Sequence, residues 1–292
     1  MSRDLAAEAR VRQAEPVMGT VVSFDVPAAA RRDGSLDAAI RWLHWVDRVF
    51  SPYRPDSDAT LLADGLVTVD ACAPEMAEVI EACAFFRELS GGFFTASPWG
   101  RFDPSGYVKG WAIERAAGIL TAAGSASHLV NGGGDVQCVG ARLPAAPVAG
   151  RAGGGAGGGA GATGVSSTEV SSTGPDTPAQ PWRIGIADPF RPGRLALVVT
   201  AVDCAVATSG TAERGAHIVN PRTGSPAAGL ASLTVTSRSL ALADACATAA
   251  FAMGPALARD WLASLDGVQA YAITAAGETW HTAGFAAFID RG

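Results

Sequence analysis

The chain has 292 residues, of which 48% are hydrophobic and 17% charged, and its formal net charge is −6. That apolar fraction supplies a buried core and excludes global disorder. The acidic balance, with a pI near 5.2, argues against a nucleic-acid binder and against electrostatic docking on an anionic membrane, since both need basic surface.

In chain order, the opening MSRDLAAEARVRQAEPVMGT lacks the apolar core of a signal peptide, and no later run reaches the ~18 apolar residues of a membrane span. A cytoplasmic protein without stable membrane insertion is expected, with residues 1–14 flexible. GTVVSFDV at 19–26 alternates apolar and polar side chains and predicts a strand. Ser35 is placed to cap a helix over about Leu36–Phe50, where Ile40, Leu43 and Val46 fall at helical spacing. Pro74 opens a second helix that stops at Gly91-Gly92, and a third runs over about Tyr107–Ala122. HLV at 128–130 and DVQCVG at 135–140 predict short strands around a glycine turn.

Residues 141–181 are Gly, Ala, Ser, Thr and Pro with almost nothing to bury, so a disordered linker or insertion is expected there. Beyond it, WRIGIAD, LALVVTAVDCAVATSG and ASLTVTS read as three strand-like stretches. Helices over about Leu240–Met253 and Pro255–Leu265 follow, and VQAYAIT closes as a strand. Strands and helices mix without strict alternation, which predicts an α+β fold with largely antiparallel sheets flanked by helices. The five cysteines are scattered with no CxxC pair, which argues for buried small residues rather than a zinc site.

Four stretches carry chemistry. In LALADACATAAF at 240–251, Asp244 and Thr248 lie four residues apart, so on a helix their oxygens share one face and suit a hard cation such as Mg²⁺. Alternatively Asp244 caps or pairs with an Arg, and Thr248 bonds back to its own helix. In NGGGD at 131–135 the glycines permit either close approach to a ligand or a tight strand turn. In DPSGYVKGW at 103–111, Asp103 and Lys109 bracket a helix start that favours anions such as phosphate. In ATSGTAERGAHIVNPRTGSP at 207–226, His217 is a candidate acid–base group, and Arg214 and Arg222 are candidate phosphate contacts. No GxGxxG or GxxxxGK[ST] stands in the right setting, and no GxSxG or HExxH occurs.

Together these pieces resemble the ApbE family of flavin transferases, through PVMGT at 16–20, FSPYRPDSD at 50–58, SGGFF at 90–94, DPSGYVKGW at 103–111, LVNGGGDV at 129–136, WRIGIADP at 182–189, ATSGTAERGAHIVNPRTG at 207–224 and ADACATAAF at 243–251. The resemblance implies one ApbE-like domain over 15–292, interrupted by a Gly-rich insertion at 141–181. It implies FAD as substrate, Mg²⁺ as cofactor and transfer of FMN to a Ser or Thr hydroxyl of an acceptor flavoprotein, with AMP released. FAD pyrophosphatase activity and non-catalytic FAD binding are the rival expectations. By motif position, Gly106, Asp244, Ala247 and Thr248 would meet the metal, Gly106 only through its backbone oxygen. Met18, Tyr53, Phe93, Phe94, Thr95, Asp103, Lys109 and Ile218 would contact FAD, and His217 with Asp244 would be catalytic. The sequence departs from the family pattern at Ala63, Thr95 and Asn220, where Asn, Asp and Asp are usual.

Overall fold

The computed structural model describes residues 9–142, 179–211 and 218–290. Two strands open the described chain, β1 (Arg10–Val17) and β2 (Thr20–Pro27). Five helices follow: α1 (Ala28–Arg32), α2 (Ser35–Phe50), α3 (Asp58–Ala63), α4 (Glu75–Leu89) and α5 (Ser105–Ala122). Then come β3 (His128–Gly132), β4 (Asp135–Val139), β5 (Trp182–Ala187), β6 (Leu195–Ala201) and β7 (Cys204–Gly210). The small hairpin β8 (Val219–Asn220) and β9 (Ser225–Pro226) precedes β10 (Leu230–Ser237). Helices α6 (Leu240–Met253) and α7 (Pro255–Ala263) lead to β11 (Gln269–Thr274) and β12 (Thr279–His281).

Eight strands form one antiparallel sheet in the order β1-β2-β3-β4-β7-β10-β11-β12. It is a meander in sequence order, from which β5–β6 and β8–β9 leave as separate hairpins. This is the α+β, largely antiparallel architecture expected. One face of the sheet carries α2, α5 and α6, whose Leu43, Ile113, Leu120, Leu240 and Phe251 join the strand residues Phe24, Leu233 and Val235 in the main core. The opposite face is covered by β5–β6. There, inward-pointing Trp182, Ile184 and Ile186 alternate with exposed residues and pack on Val136, Cys138 and Val206. Covered on both faces, β10 is buried along its whole length.

Several boundaries differ from the sequence reading. Strand β1 begins at Arg10, inside the stretch 1–14 expected to be flexible, because all eight of its residues pair with β2. Gly34 (φ +78°), not Ser35, precedes α2; the Ser35 hydroxyl instead turns back to donate to the Ala30 carbonyl at 3.2 Å. The stretch LALVVTAVDCAVATSG is two strands in different sheets. The chain crosses from one layer to the other at Val202-Asp203, where Asp203 takes φ +49° and accepts the Gly140 amide at 2.6 Å. A further strand, β12, follows β11. Among the described cysteines, Cys83, Cys138, Cys204 and Cys246 are buried and Cys72 is partly buried, all as free thiols. Residues 143–178 of the expected insertion lie outside the described residues. Its two ends are tied together: the Arg142 amide donates to Gln180 O at 2.7 Å and the Gln180 amide to Arg142 O at 3.0 Å. Among the described residues, no helix is long and apolar enough to cross a membrane.

Candidate active site

Helices α5 and α6 pack closely at Gly110. A Cβ there would stand 2.6 Å from the Leu240 carbonyl oxygen and 2.8 Å from Asp244 Cβ, so only glycine permits the crossing. One turn further along α5, Glu114 accepts hydrogen bonds from Ser239 Oγ at 2.8 Å and from the Ala241 amide at 2.9 Å. Ser239 Oγ in turn accepts the Leu242 amide at 3.2 Å. The α6 N-terminus is thus capped partly by its own serine and partly by a carboxylate on the neighbouring helix, which suits its positive end.

This crossing fixes Asp244, whose side chain is 6% exposed. Its Oδ2 accepts the Gly110 amide at 2.9 Å, and its Oδ1 lies 3.7 Å from Lys109 Nζ. Lys109 also donates to Asp135 Oδ2, and Asp135 Oδ1 accepts the Thr208 amide at 3.0 Å. Asp135 opens β4 directly after the Gly133-Gly134 turn, where φ is +60° and +89°. Asn131 Oδ1 closes this turn by accepting the Gly134 amide at 3.1 Å. Of the two readings of NGGGD, the glycines here make a tight hairpin turn, and the motif's acid is the group that reaches the site.

Two buried carboxylates therefore face one ammonium. Burial, opposed by Lys109 and reinforced by the charge of Asp135, pushes the Asp244 carboxyl up to about 7. Thr248 lies one turn beyond Asp244 on α6 and is half-buried. Gly106 packs against it: a Cβ on Gly106 would stand 3.2 Å from Thr248 Cγ2 and 3.6 Å from its Oγ1. Carboxylate, hydroxyl and backbone oxygens are the hard donors that Mg²⁺ takes, and a cation beside Asp244 would favour its charged form. Among the described residues, no three His, Cys, Asp or Glu side chains gather as a cage. A cation here would therefore complete its shell with water or ligand oxygens.

The remaining expected residues divide into those near this crossing and those elsewhere. Asp103 Oδ1 accepts the Ser105 amide at 3.0 Å and also the Ser105 hydroxyl, holding the first turn of α5. Met18 (φ +57°) forms the β1–β2 turn with Gly19. That turn adjoins the glycine hairpin, since a Cβ on Gly133 would come within 2.9 Å of Thr20 Oγ1. Phe94 is fully buried, packed on Phe86 at 5.8 Å, so its ring is a core group under the site and not a surface for a ligand. Tyr53 is 86% exposed, and its amide donates to Ser51 Oγ at 3.4 Å. Ala247 is fully buried in the main core, so only its backbone is left to offer a donor. Ile218 accepts the Ala227 amide at 2.8 Å through its carbonyl. His217 and Arg214 lie outside the described residues.

A cavity of about 940 Å³ lies between the end of α4, the 91–102 segment and the β8–β9 hairpin, with Arg87, Thr95, Trp99, Phe102 and Pro221 on its walls. Thr95 belongs to this wall, and its Oγ1 accepts the Ser97 amide at 3.0 Å. The cavity does not itself include Lys109 or Asp244. Phe94, next in the chain to Thr95 of the cavity wall, packs on the crossing, its Cε2 lying 3.4 Å from where a Gly106 Cβ would stand. Sequence reasoning did not assign Asp135, Gly110 or Glu114 to the site. The acid that ends NGGGD and the Lys-Gly pair were visible signals, whereas Glu114 looks like any exposed helix carboxylate.

The fold and the site define an α+β protein with a buried acid–lysine cluster at a helix crossing. The sequence model of the ApbE family matches residues 96–149 and 163–272, and the chain belongs to that family. It is 27% identical over 273 residues to the FAD:protein FMN transferase of Rhodobacter capsulatus, covering 88% of this chain and 42% of that protein. The chain thus spans less than half of that relative. The ApbE protein of Thermotoga maritima has the same fold, with a TM-score of 0.76 at 20% identity over 97% of this chain and 100% of that one. So does the flavin transferase ApbE of Vibrio cholerae, with a TM-score of 0.74 at 19% identity over 97% and 99% of the two chains.

Proposed function

We propose that the chain transfers the FMN half of FAD to a Ser or Thr hydroxyl of an acceptor flavoprotein, with Mg²⁺ as cofactor. The acceptor oxygen forms a bond to the FMN phosphorus, the bridging P–O bond breaks, AMP leaves with the bridging oxygen, and the hydroxyl proton passes to a base. The observation that carries this reading is the convergence of Lys109, Asp135, Asp244, Thr248 and Gly106 at one helix crossing in a chain of the ApbE family. The name of the Rhodobacter capsulatus relative supports the same activity. The neighbouring cavity, about 940 Å³, has the size of a site for a ligand as large as a dinucleotide.

Asp244 and Thr248, with the backbone oxygens of Gly106 and Ala247, would hold the cation. Bound there, it would neutralise charge on the diphosphate, which is the main requirement of phosphoryl transfer. The Lys109 ammonium adds a point charge that Asp135 holds in place. Asp103 anchors the start of α5 and is assigned to the adenosine half. Met18, Tyr53, Thr95 and Ile218 are assigned to the rings, Phe93 and Phe94 to backing the wall they pack behind, and His217 to orienting or deprotonating the acceptor hydroxyl.

The experiment is incubation of the purified chain with FAD, MgCl₂ and a candidate acceptor, read by intact mass. A covalent FMN increment on the acceptor, abolished by EDTA, is expected. Release of FMN and AMP with no increment on any acceptor would replace this reading with a pyrophosphatase.

A further inference from the structure

We infer that Arg222 is a positioning residue that ties the two walls of the cavity together and so sets its fit to the flavin dinucleotide. This inference rests on the FAD reading above. One wall is the end of α4, where the Gly91 and Gly92 amides turn back to Glu88 O at 2.9 Å and Arg87 O at 2.7 Å. The other is the β8–β9 hairpin, which supplies Val219, Pro221 and Gly224.

The hairpin is internally stiff. Asn220 O accepts the Thr223 and Gly224 amides at 3.2 and 2.9 Å, its Oδ1 accepts the Arg222 amide at 2.9 Å, and Gly224 takes φ +67°. It therefore moves as a unit, and what holds its tip decides where that wall stands. Arg222, at the tip, crosses to the opposite wall. Its Nη2 donates to the Gly91 carbonyl at 2.9 Å, and its guanidinium carbon lies 4.1 Å from the centre of the Phe93 ring.

Three effects act on this one group. The guanidinium meets the negative end of α4, makes a hydrogen bond to a backbone carbonyl, and lies over an aromatic face. Phe93, only 7% exposed, is a fixed platform. The geometry suits Arg in particular, because a planar fork stacks and donates at once, whereas the point charge of Lys does one or the other well. Arg222 thus has partners within the protein and acts on the ligand through the wall it holds.

The test compares the full chain as wild type, Arg222→Ala and Arg222→Lys. Hydrogen exchange across 218–227 is measured without ligand, and KM and kcat for FAD are measured with acceptor present. Arg222→Ala is expected to speed exchange across the hairpin and to raise KM about tenfold. Its kcat should stay within about twofold and its melting temperature should fall by no more than about 2–4 °C, and Arg222→Lys should recover part of the loss in KM. Exchange and KM both matching wild type would overturn the tether, as would a fall in kcat with KM unchanged. A wild-type chain that turns over no FAD would overturn the flavin reading and the positioning role with it. The exchange measurement needs no flavin, so it tells that outcome apart from failure of the tether.

Discussion

Asp135 and His128 show how single buried polar groups are held. Asp135, with no exposed side-chain surface, joins Lys109 on α5 to the Thr208 amide on β7. Asp135→Asn should cost about 1.5–3 kcal/mol, because a neutral amide replaces the carboxylate that accepts from both Lys109 and the Thr208 amide; a lowered urea midpoint at unchanged slope checks this. His128 is fully buried, with Nε2 at 3.1 Å from Ala117 O and Nδ1 at 3.0 Å from Ser125 Oγ. Burial lowers its pKa from 6.5 to about 4. The unfolded chain therefore takes up the proton first as pH falls, and stability is lost between pH 6.5 and 4. From pH 7 to pH 5 this one group should cost the wild type about 2 kcal/mol. Urea titrations at the two pH values should show a smaller loss in His128→Gln.

Two glycines of α5 separate helix propensity from packing. A Cβ added to Gly118 would have nothing within 4 Å, whereas one on Gly110 would meet Leu240 O at 2.6 Å. Gly118→Ala should stabilise by about 0.5–1 kcal/mol through propensity alone. Gly110→Ala should destabilise by about 1–3 kcal/mol and lower turnover by moving Asp244. Thermal melts of the two variants should shift in opposite directions. The same contrast marks what was legible in the sequence. The α6 bounds follow from an apolar run with a Ser before it and a Gly after it, so Leu240–Met253 was readable. The partnership of Lys109 with Asp135 and Asp244 was not, since it depends on a close helix crossing that local pattern does not encode. Strand β1 was hidden by its polar, partly exposed alternation, and the break between β6 and β7 by a continuous apolar run whose layer change shows only in pairing. Phe94 matched a family segment, but that match carries no statement of burial.

At the scale of the molecule, an antiparallel meander carries the helix crossing on one face and the β5–β6 hairpin on the other. Arg142 and Gln180 meet in an antiparallel bridge, so a short connection suffices to join them. Replacing residues 145–178 by a short Gly-Ser turn should leave the circular dichroism spectrum unchanged and the melting temperature within about 3 °C, because shortening a loop lowers its closure entropy; a large fall would show that the segment contributes contacts. The central claim is that the α5–α6 crossing holds a divalent cation against a flavin dinucleotide. A crystal soaked with FAD and Mn²⁺, read by anomalous scattering, tests it most directly. The account predicts a peak about 2.1 Å from Asp244 and Thr248 oxygens, in contact with the diphosphate. An ion or dinucleotide bound away from that crossing would contradict it.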